Sequence, residues 1–172
     1  CISATGTNNV DLEFAKLKNI EVKNVAGYSS SSVVQLAFSM IFQIVQKLDY
    51  YKKYVDVGNW QKSQIFTHID KPFFFFFGKK VGIIGLGDIG RNFAKKARAF
   101  DCEVMYFSKS GKNSNSEYKQ VSLDELLNTC DIISIHCPLN ENTKDLLNYK
   151  NMKNIKDGAI LLNLGRGGII NE

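Results

Sequence analysis

The 172-residue sequence has little of what marks several protein classes: two prolines, two histidines, four cysteines, and no long block of one charge. Cys1, Cys102, Cys130 and Cys137 show neither CxxC spacing nor the density of a disulfide scaffold. With only His68 and His136 beside them, no clustered ligand set for zinc exists, so no metal is expected. Dispersed thiols fit a reducing compartment, and a cytoplasmic location is the expectation. No charged segment followed by an apolar one opens the chain, so no secretion signal is read. The most apolar helical stretch, Val33 to Leu48, is broken up by Gln35, Gln43 and Gln46 and is too short to span a bilayer comfortably. No membrane partner is expected. The net charge of +5 comes from scattered lysines such as Lys52 and Lys53, Lys79 and Lys80, Lys95 and Lys96. That distribution predicts a solvated surface and no nucleic-acid partner.

What is present suffices for one substantial core, or one core and part of another, at 44% hydrophobic and 23% charged residues. The chain starts with Cys1 rather than Met and stops shortly after Arg166, so neither end is expected to be a natural terminus. Its character changes near residue 78. Before that point, "NNVDLEFAKLKN" predicts a short helix entered at Asp11, and "IEVKNV" (Ile20 to Val25) alternates as a strand does. Serines 29 to 32 supply N-cap candidates for one long helix, "SVVQLAFSMIFQIVQKLDYYKKY". This helix is apolar on most of its circumference through Leu48. It is therefore expected to be covered on two sides, between domains or between subunits. The five phenylalanines Phe73 to Phe77 cannot all face one core at either helical or strand periodicity, and they predict a linker crossing a groove.

From Lys79 the pattern is strand, helix, strand, repeated. "KVGIIG", "CEVMYF", "DIISIH" and "GAILLNL" are unbroken apolar runs, while "DIGRNFAKKARAF" and "SLDELLNTC" carry helical periodicity. Ser122 with Glu125 three residues on forms a capping-box pattern. Strands without a wet face argue for an α/β fold with a doubly wound parallel sheet covered on both sides.

"GLGDIG", Gly85 to Gly90, has a strand before it and a helix after it, which is the context this motif needs. Gly85 permits the tight turn, Gly87 lets backbone approach a pyrophosphate, and Gly90 lets the helix pack on the strand. The helix start then attracts the phosphate charge. A dinucleotide site is predicted. At the end of the second strand, where an acid commonly accepts hydrogen bonds from the adenosine ribose, stands Ser108, with Lys109 and Lys112 following. Asp101 and Glu103 come too early. NADP therefore stands beside NAD as the cofactor.

The succession "ATGTNNVDLEFAK", "NVAGYSSSSVVQ", "GKKVGIIGLGDIG", "HCPLNENT" and "LLNLGRGGIINE", in this order and spacing, resembles the D-isomer-specific 2-hydroxyacid dehydrogenases. That family includes the glycerate, D-lactate, hydroxypyruvate and phosphoglycerate enzymes. The resemblance covers the chain from end to end. It implies part of a smaller flavodoxin-like substrate domain (1–30), an interdomain helix and linker (31–77) and a truncated Rossmann-type NAD(P)-binding domain (78–172). It further implies that Thr5 and Gly6 offer backbone N–H groups to a substrate carboxylate, and that Asp88 and Ile89 add N–H groups to the pyrophosphate turn. Ser108 takes the ribose position. Cys137, Pro138 and Thr143 border the cofactor, and Leu164, Gly165 and Arg166 reach the nicotinamide and the substrate.

Arg166 matches the family's catalytic arginine. A planar guanidinium can hydrogen-bond both the carboxylate and the 2-oxo group of a keto acid and polarise the carbonyl as hydride arrives. The implied reaction moves hydride between C2 of a small D-2-hydroxy acid and the nicotinamide ring, in a protein that is a homodimer when full length. The family's acid–base histidine and its carboxylate lie downstream of the "GRGG" turn, so the chain by itself is expected to be an inactive fragment. His136 reads as a strand end. Gln35 replaces a common glutamate, and the phenylalanine run replaces a mixed stretch. Two alternatives stay open: an NAD-binding, non-enzymatic corepressor of the same superfamily, and a dimerisation module.

Overall fold

The computed structural model describes residues 1–7, 9–111 and 115–171. The run "KVGII" becomes strand β1 (Lys80–Ile84). Its Val81 and Ile83 enter one hydrophobic cluster, while Ile84 enters a second on the opposite face. Burial on both faces is why the run carries no alternation. β1 pairs in parallel with β2 (Glu103–Phe107) on one side and with β4 (Ile132–Ile135) on the other. β3 (Lys119–Gln120) and β5 (Ile160–Asn163) complete a five-stranded sheet of order β3-β2-β1-β4-β5. This is the expected α/β, doubly wound parallel sheet. β3, only two exposed residues long, carries no periodicity and was not foreseen.

Register decides where the loops emerge. Ile84 stands beside Phe107 and Ile135, and Ile135 beside Asn163, so four strands end at one level. Sequence order reverses direction between β1 and β4, which leaves a crevice at that edge.

Helices cover both faces. On the first, α5 (Asp88–Ala99) buries Gly90, Phe93, Ala94 and Ala97. Over it lies α2 (Ser30–Gln46), burying Val34, Ala37, Phe38, Ile41 and Val45. On the second face, α6 (Leu123–Thr129) and its C-cap residue Cys130 press so close to the sheet that a Cβ on Gly82 would meet Leu126 and Cys130 at 2.7 Å. Ser122 caps α6 by accepting the Glu125 N–H at 3.1 Å, the half of the capping box that the structure records. The short α7 (Tyr149–Met152) packs on α6.

Three expectations for residues 1–77 need correction. α1 (Leu12–Leu17) forms as read, with Asp11 accepting the Phe14 N–H at 2.9 Å. "IEVKNV", however, is not a strand: a single parallel bridge joins Asn24 to Ile2. Strands need a sheet to be stable, and here Ile20 and Val25 stay 57% and 50% exposed. The long helix is two helices, because Lys47 turns left-handed (φ 53°) and α3 (Leu48–Asp56) leaves at 67°. The carbonyl of Val45 then takes the Phe74 N–H at 2.9 Å, and Gln46 Nε2 donates to the Phe74 carbonyl at 3.2 Å. This tertiary hydrogen bond substitutes for continued helix, at a site with no Pro or Gly to announce it. Finally, Ser29 precedes α2 with no side-chain cap bond, and Ser30 points to α5 instead. No single helix among the described residues is long and apolar enough to cross a membrane.

Among the described residues, α2 is covered on one side only. Leu36, Met40 and Ile44 remain 52%, 39% and 41% exposed. After α4 (Asn59–Lys62) the phenylalanine run passes over the end of α2. Phe76 alone of the five is buried, its ring edge-on to Phe38, Phe42 and Phe100 at 5.8, 5.4 and 5.5 Å between centroids.

Candidate functional site

The sharp turn after β1 is made by Gly85, at φ 96°, a conformation that suits glycine. Its N–H donates to the Phe107 carbonyl at 2.9 Å, and a Cβ there would lie 2.7 Å from the Cys137 nitrogen. No side chain fits. Gly90 is equally constrained, because its Cβ would stand 2.2 Å from the Gly85 carbonyl oxygen. Gly87 differs: a Cβ there would have nothing within 4 Å, so what its missing side chain leaves is open cleft. α5 begins on this turn with no side-chain cap at Gly87. The N–H groups of Asp88, Ile89 and Gly90 have no intrahelical acceptor and lie at the positive end of the helix. A pyrophosphate fits that cradle. Behind it, the Ser30 hydroxyl, 8% exposed, donates to the Asp88 carboxylate and ties the first turn of α2 to that of α5.

A cleft of about 240 Å³ opens here. Gly85 and Gly87 form its floor, Ser108, Lys109 and Ser110 one wall, and His136, Cys137, Pro138 and Thr143 the other. Thr143 is buried; its hydroxyl donates to the Pro138 carbonyl at 2.6 Å and accepts from the Asn140 N–H at 2.8 Å, which fixes the loop after β4. Of the two predicted lysines, Lys109 lines the cleft, and Lys112 lies outside the described residues.

His136 directly follows β4, its N–H donating to the Ile84 carbonyl at 2.8 Å. The ring lies 5.3 Å from that of Phe93, with Nε2 2.9 Å from Ser134 Oγ. Nδ1 is buried with no partner among the described residues. Burial pushes its pKa down to about 4, so the imidazole is neutral near pH 7. Burial also raises the Cys137 thiol, which stays protonated.

The "GRGG" turn after β5 stands next to this wall. A Cβ on Gly165 would lie 3.1 Å from the Cys137 carbonyl oxygen, so the turns after β1, β4 and β5 meet on the backbone of Cys137. Asn163 braces the turn, accepting the Gly165 N–H at 3.1 Å and donating to the Arg166 carbonyl at 2.9 Å. Arg166 is exposed, with Nη1 donating to the Gly165 carbonyl at 2.9 Å. Leu164 packs against the first-face core.

Of the residues expected at the site, Gly85, Gly87, Ser108, Cys137, Pro138 and Thr143 line one cleft. Asp88, Ile89 and Gly90 form the helix start at its floor. Gly165 adjoins it through the Cys137 contact, with Leu164 and Arg166 its chain neighbours on either side. Thr5 and Gly6 do not line it. Thr5 instead belongs to the N-terminal segment, where its carbonyl accepts from Asn24 Nδ2 at 2.6 Å. Sequence reasoning passed over Ser30, Asn140, Asn142 and Asn163. Only Asn163, a polar residue closing an apolar strand, left a local signal.

The model of the D-isomer specific 2-hydroxyacid dehydrogenase NAD binding domain matches residues 38–172. A hydroxypyruvate reductase of Blautia hydrogenotrophica is 36% identical over 99% of the chain and 54% of its own length. A glycerate dehydrogenase of Methylorubrum extorquens is 33% identical over 99% of the chain and 53% of its own length. Among solved structures, the D-lactate dehydrogenase of Aquifex aeolicus, complexed with NAD and lactic acid, superposes with a TM-score of 0.85 at 29% identity, over 98% of the chain and 50% of that protein. The chain spans about half the length of the curated relatives it matches. It belongs to the D-isomer-specific 2-hydroxyacid dehydrogenase family.

Proposed function

We propose that the whole protein is an NAD(P)-dependent oxidoreductase that interconverts a small D-2-hydroxy acid and its 2-keto acid, and that these 172 residues form its cofactor-binding half. One observation carries the reading: the turn at Gly85–Gly90, the strand end at Ser108 and the loop Cys137–Thr143 converge on one cleft beside the turn that carries Arg166. In this division, 1–30 belongs to a substrate domain, 31–77 connects, and 78–172 binds dinucleotide.

When bound, the dinucleotide supplies the hydride. The chain's own residues bind and orient. The N–H groups at the start of α5 neutralise the pyrophosphate, Ser108 meets the ribose, and Cys137, Pro138 and Thr143 shape the wall. Leu164 and Gly165 position the turn from which Arg166 reaches the keto acid, where its guanidinium holds the carboxylate and polarises the carbonyl. Thr5 and Gly6 offer backbone donors to the carboxylate from the substrate domain.

Reduction also needs a proton donor with a pKa near the working pH. His136, held at about 4, is deprotonated there. His68 is stacked on Tyr54 at 3.6 Å between ring centroids, outside the cleft. The general acid in this reading is supplied by another part of the protein, and the chain alone does not turn over. The apolar stripe Leu36, Met40, Ile44 on α2 supports a homodimer of the whole protein.

Two measurements test the reading. Titration of the chain with NADH and NADPH, followed by NMR, should move the amide signals of residues 85–90. Whole protein should oxidise reduced cofactor only with a 2-keto acid present. A folded chain indifferent to both dinucleotides would end it.

A further inference from the structure

We infer that the ribose end of the cleft is built for a 2′-phosphate, with Ser108 and Lys109 as the residues that select NADP(H); this rests on the dinucleotide reading of the same cleft. β2 ends at Phe107, level with Ile84, and the next three residues turn onto the cleft wall facing Gly85 and Gly87. A dinucleotide whose pyrophosphate sits on the start of α5 brings its adenosine ribose to this strand end.

Among the described residues, none that lines the cleft is Asp or Glu. The acids of this strand stand at its other end: Glu103 is registered against Lys80, with its carboxylate 4.0 Å from the Lys80 ammonium. Four residues of extended chain separate Glu103 from Phe107, about 13 Å at the rise of a parallel strand. A ribose diol at Ser108 therefore meets no double acceptor, the feature that favours an unphosphorylated ribose.

The groups present suit an anion. The Ser108 hydroxyl, half-buried at the strand end, can donate one hydrogen bond. The Lys109 side chain is exposed and, among the described residues, makes no salt bridge, so its ammonium is available to a doubly charged phosphate. A cation beside a neutral donor, with no acid among the described lining residues to repel the phosphate, reverses the electrostatics of an NAD site.

The test is a binding measurement that needs no turnover. The chain is titrated by NMR with NADH, NADPH, 5′-ADP and 2′,5′-ADP. NADPH should bind about tenfold or more tighter than NADH, as expected for one added charge-assisted contact, and 2′,5′-ADP should exceed 5′-ADP alike. The 2′-phosphate ligands should shift the amides of Ser108 and Lys109 further than NADH and 5′-ADP do. Lys109→Ala should cost NADPH roughly tenfold and NADH much less, and Ser108→Asp should reverse the preference. Equal or tighter binding of NADH, or equal losses for both cofactors in Lys109→Ala, overturns the inference and leaves the dinucleotide site standing. Failure of every ligand to bind the folded chain overturns both.

Discussion

The carbonyl oxygen of Gly85 occupies the place a side chain on Gly90 would need, 2.2 Å from the ideal Cβ position. The start of α5 is thus clamped onto the turn that leaves β1, and the two glycines hold the helix N–H groups toward the cleft. Gly90→Ala should lower stability by about 1–3 kcal/mol, the usual cost of overpacking a closed site. Gly87→Ala, with open space around it, should unfold at the wild-type urea midpoint and lose dinucleotide affinity. Equal midpoints for all three proteins would refute the clamp.

The phenylalanine run separates into one core residue and four surface ones. Phe76, 5% exposed among Phe38, Phe42 and Phe100, should cost about 3–5 kcal/mol when cut to Ala. Phe75, 67% exposed, should cost less than about 0.5 kcal/mol. Denaturant curves for the two variants decide it, and a large loss from Phe75→Ala in the isolated chain would overturn the assignment.

Acid stability should reflect His136. Its folded pKa is about 4, against an ordinary 6.5, so between those values the unfolded chain takes up a proton that the native state refuses. The His136 contribution is flat above pH 6.5 and falls as pH drops toward 4, by on the order of 3 kcal/mol in all. A second loss follows at lower pH. Burial alone would raise Asp131, but the Lys156 ammonium at 2.6 Å and the Lys80 N–H at 2.9 Å outweigh it and hold its carboxyl below the usual 3.8. His136→Leu should flatten the upper window and spare the lower one. Unfolding free energies measured from pH 7.5 to 3 would expose a histidine that does not behave this way.

In the whole protein, Arg166→Met should reduce kcat/KM for a 2-keto acid by roughly 100- to 1,000-fold, the scale of losing one positioned donor to a developing oxyanion. Dinucleotide affinity should change far less. A variant with near-normal turnover would remove Arg166 from the proposed chemistry.

Much of the cofactor half was legible because its determinants are local. Unbroken apolar runs identify doubly buried strands, helical periodicity identifies the covers, and "GLGDIG" between them needs only its neighbours to be understood. The first 77 residues were less legible for the opposite reason. "IEVKNV" has the alternation of a strand but little to pair with, and the break at Lys47 depends on a hydrogen bond from Phe74, far along the chain. Nothing near either residue signals it.

The residues by themselves determined the kind of sheet, the glycine turn that can hold a pyrophosphate, and the absence of an acid at Ser108. Those follow from side-chain volume, φ preference and charge, which travel with the letters. Only the tertiary structure decided that the turns after β1, β4 and β5 meet on the backbone of Cys137, that one phenylalanine of five is core, and that His136 is too buried to hold a proton near neutral pH. Each is set by distances between segments remote in sequence, and burial and close contact exist only after those segments have packed.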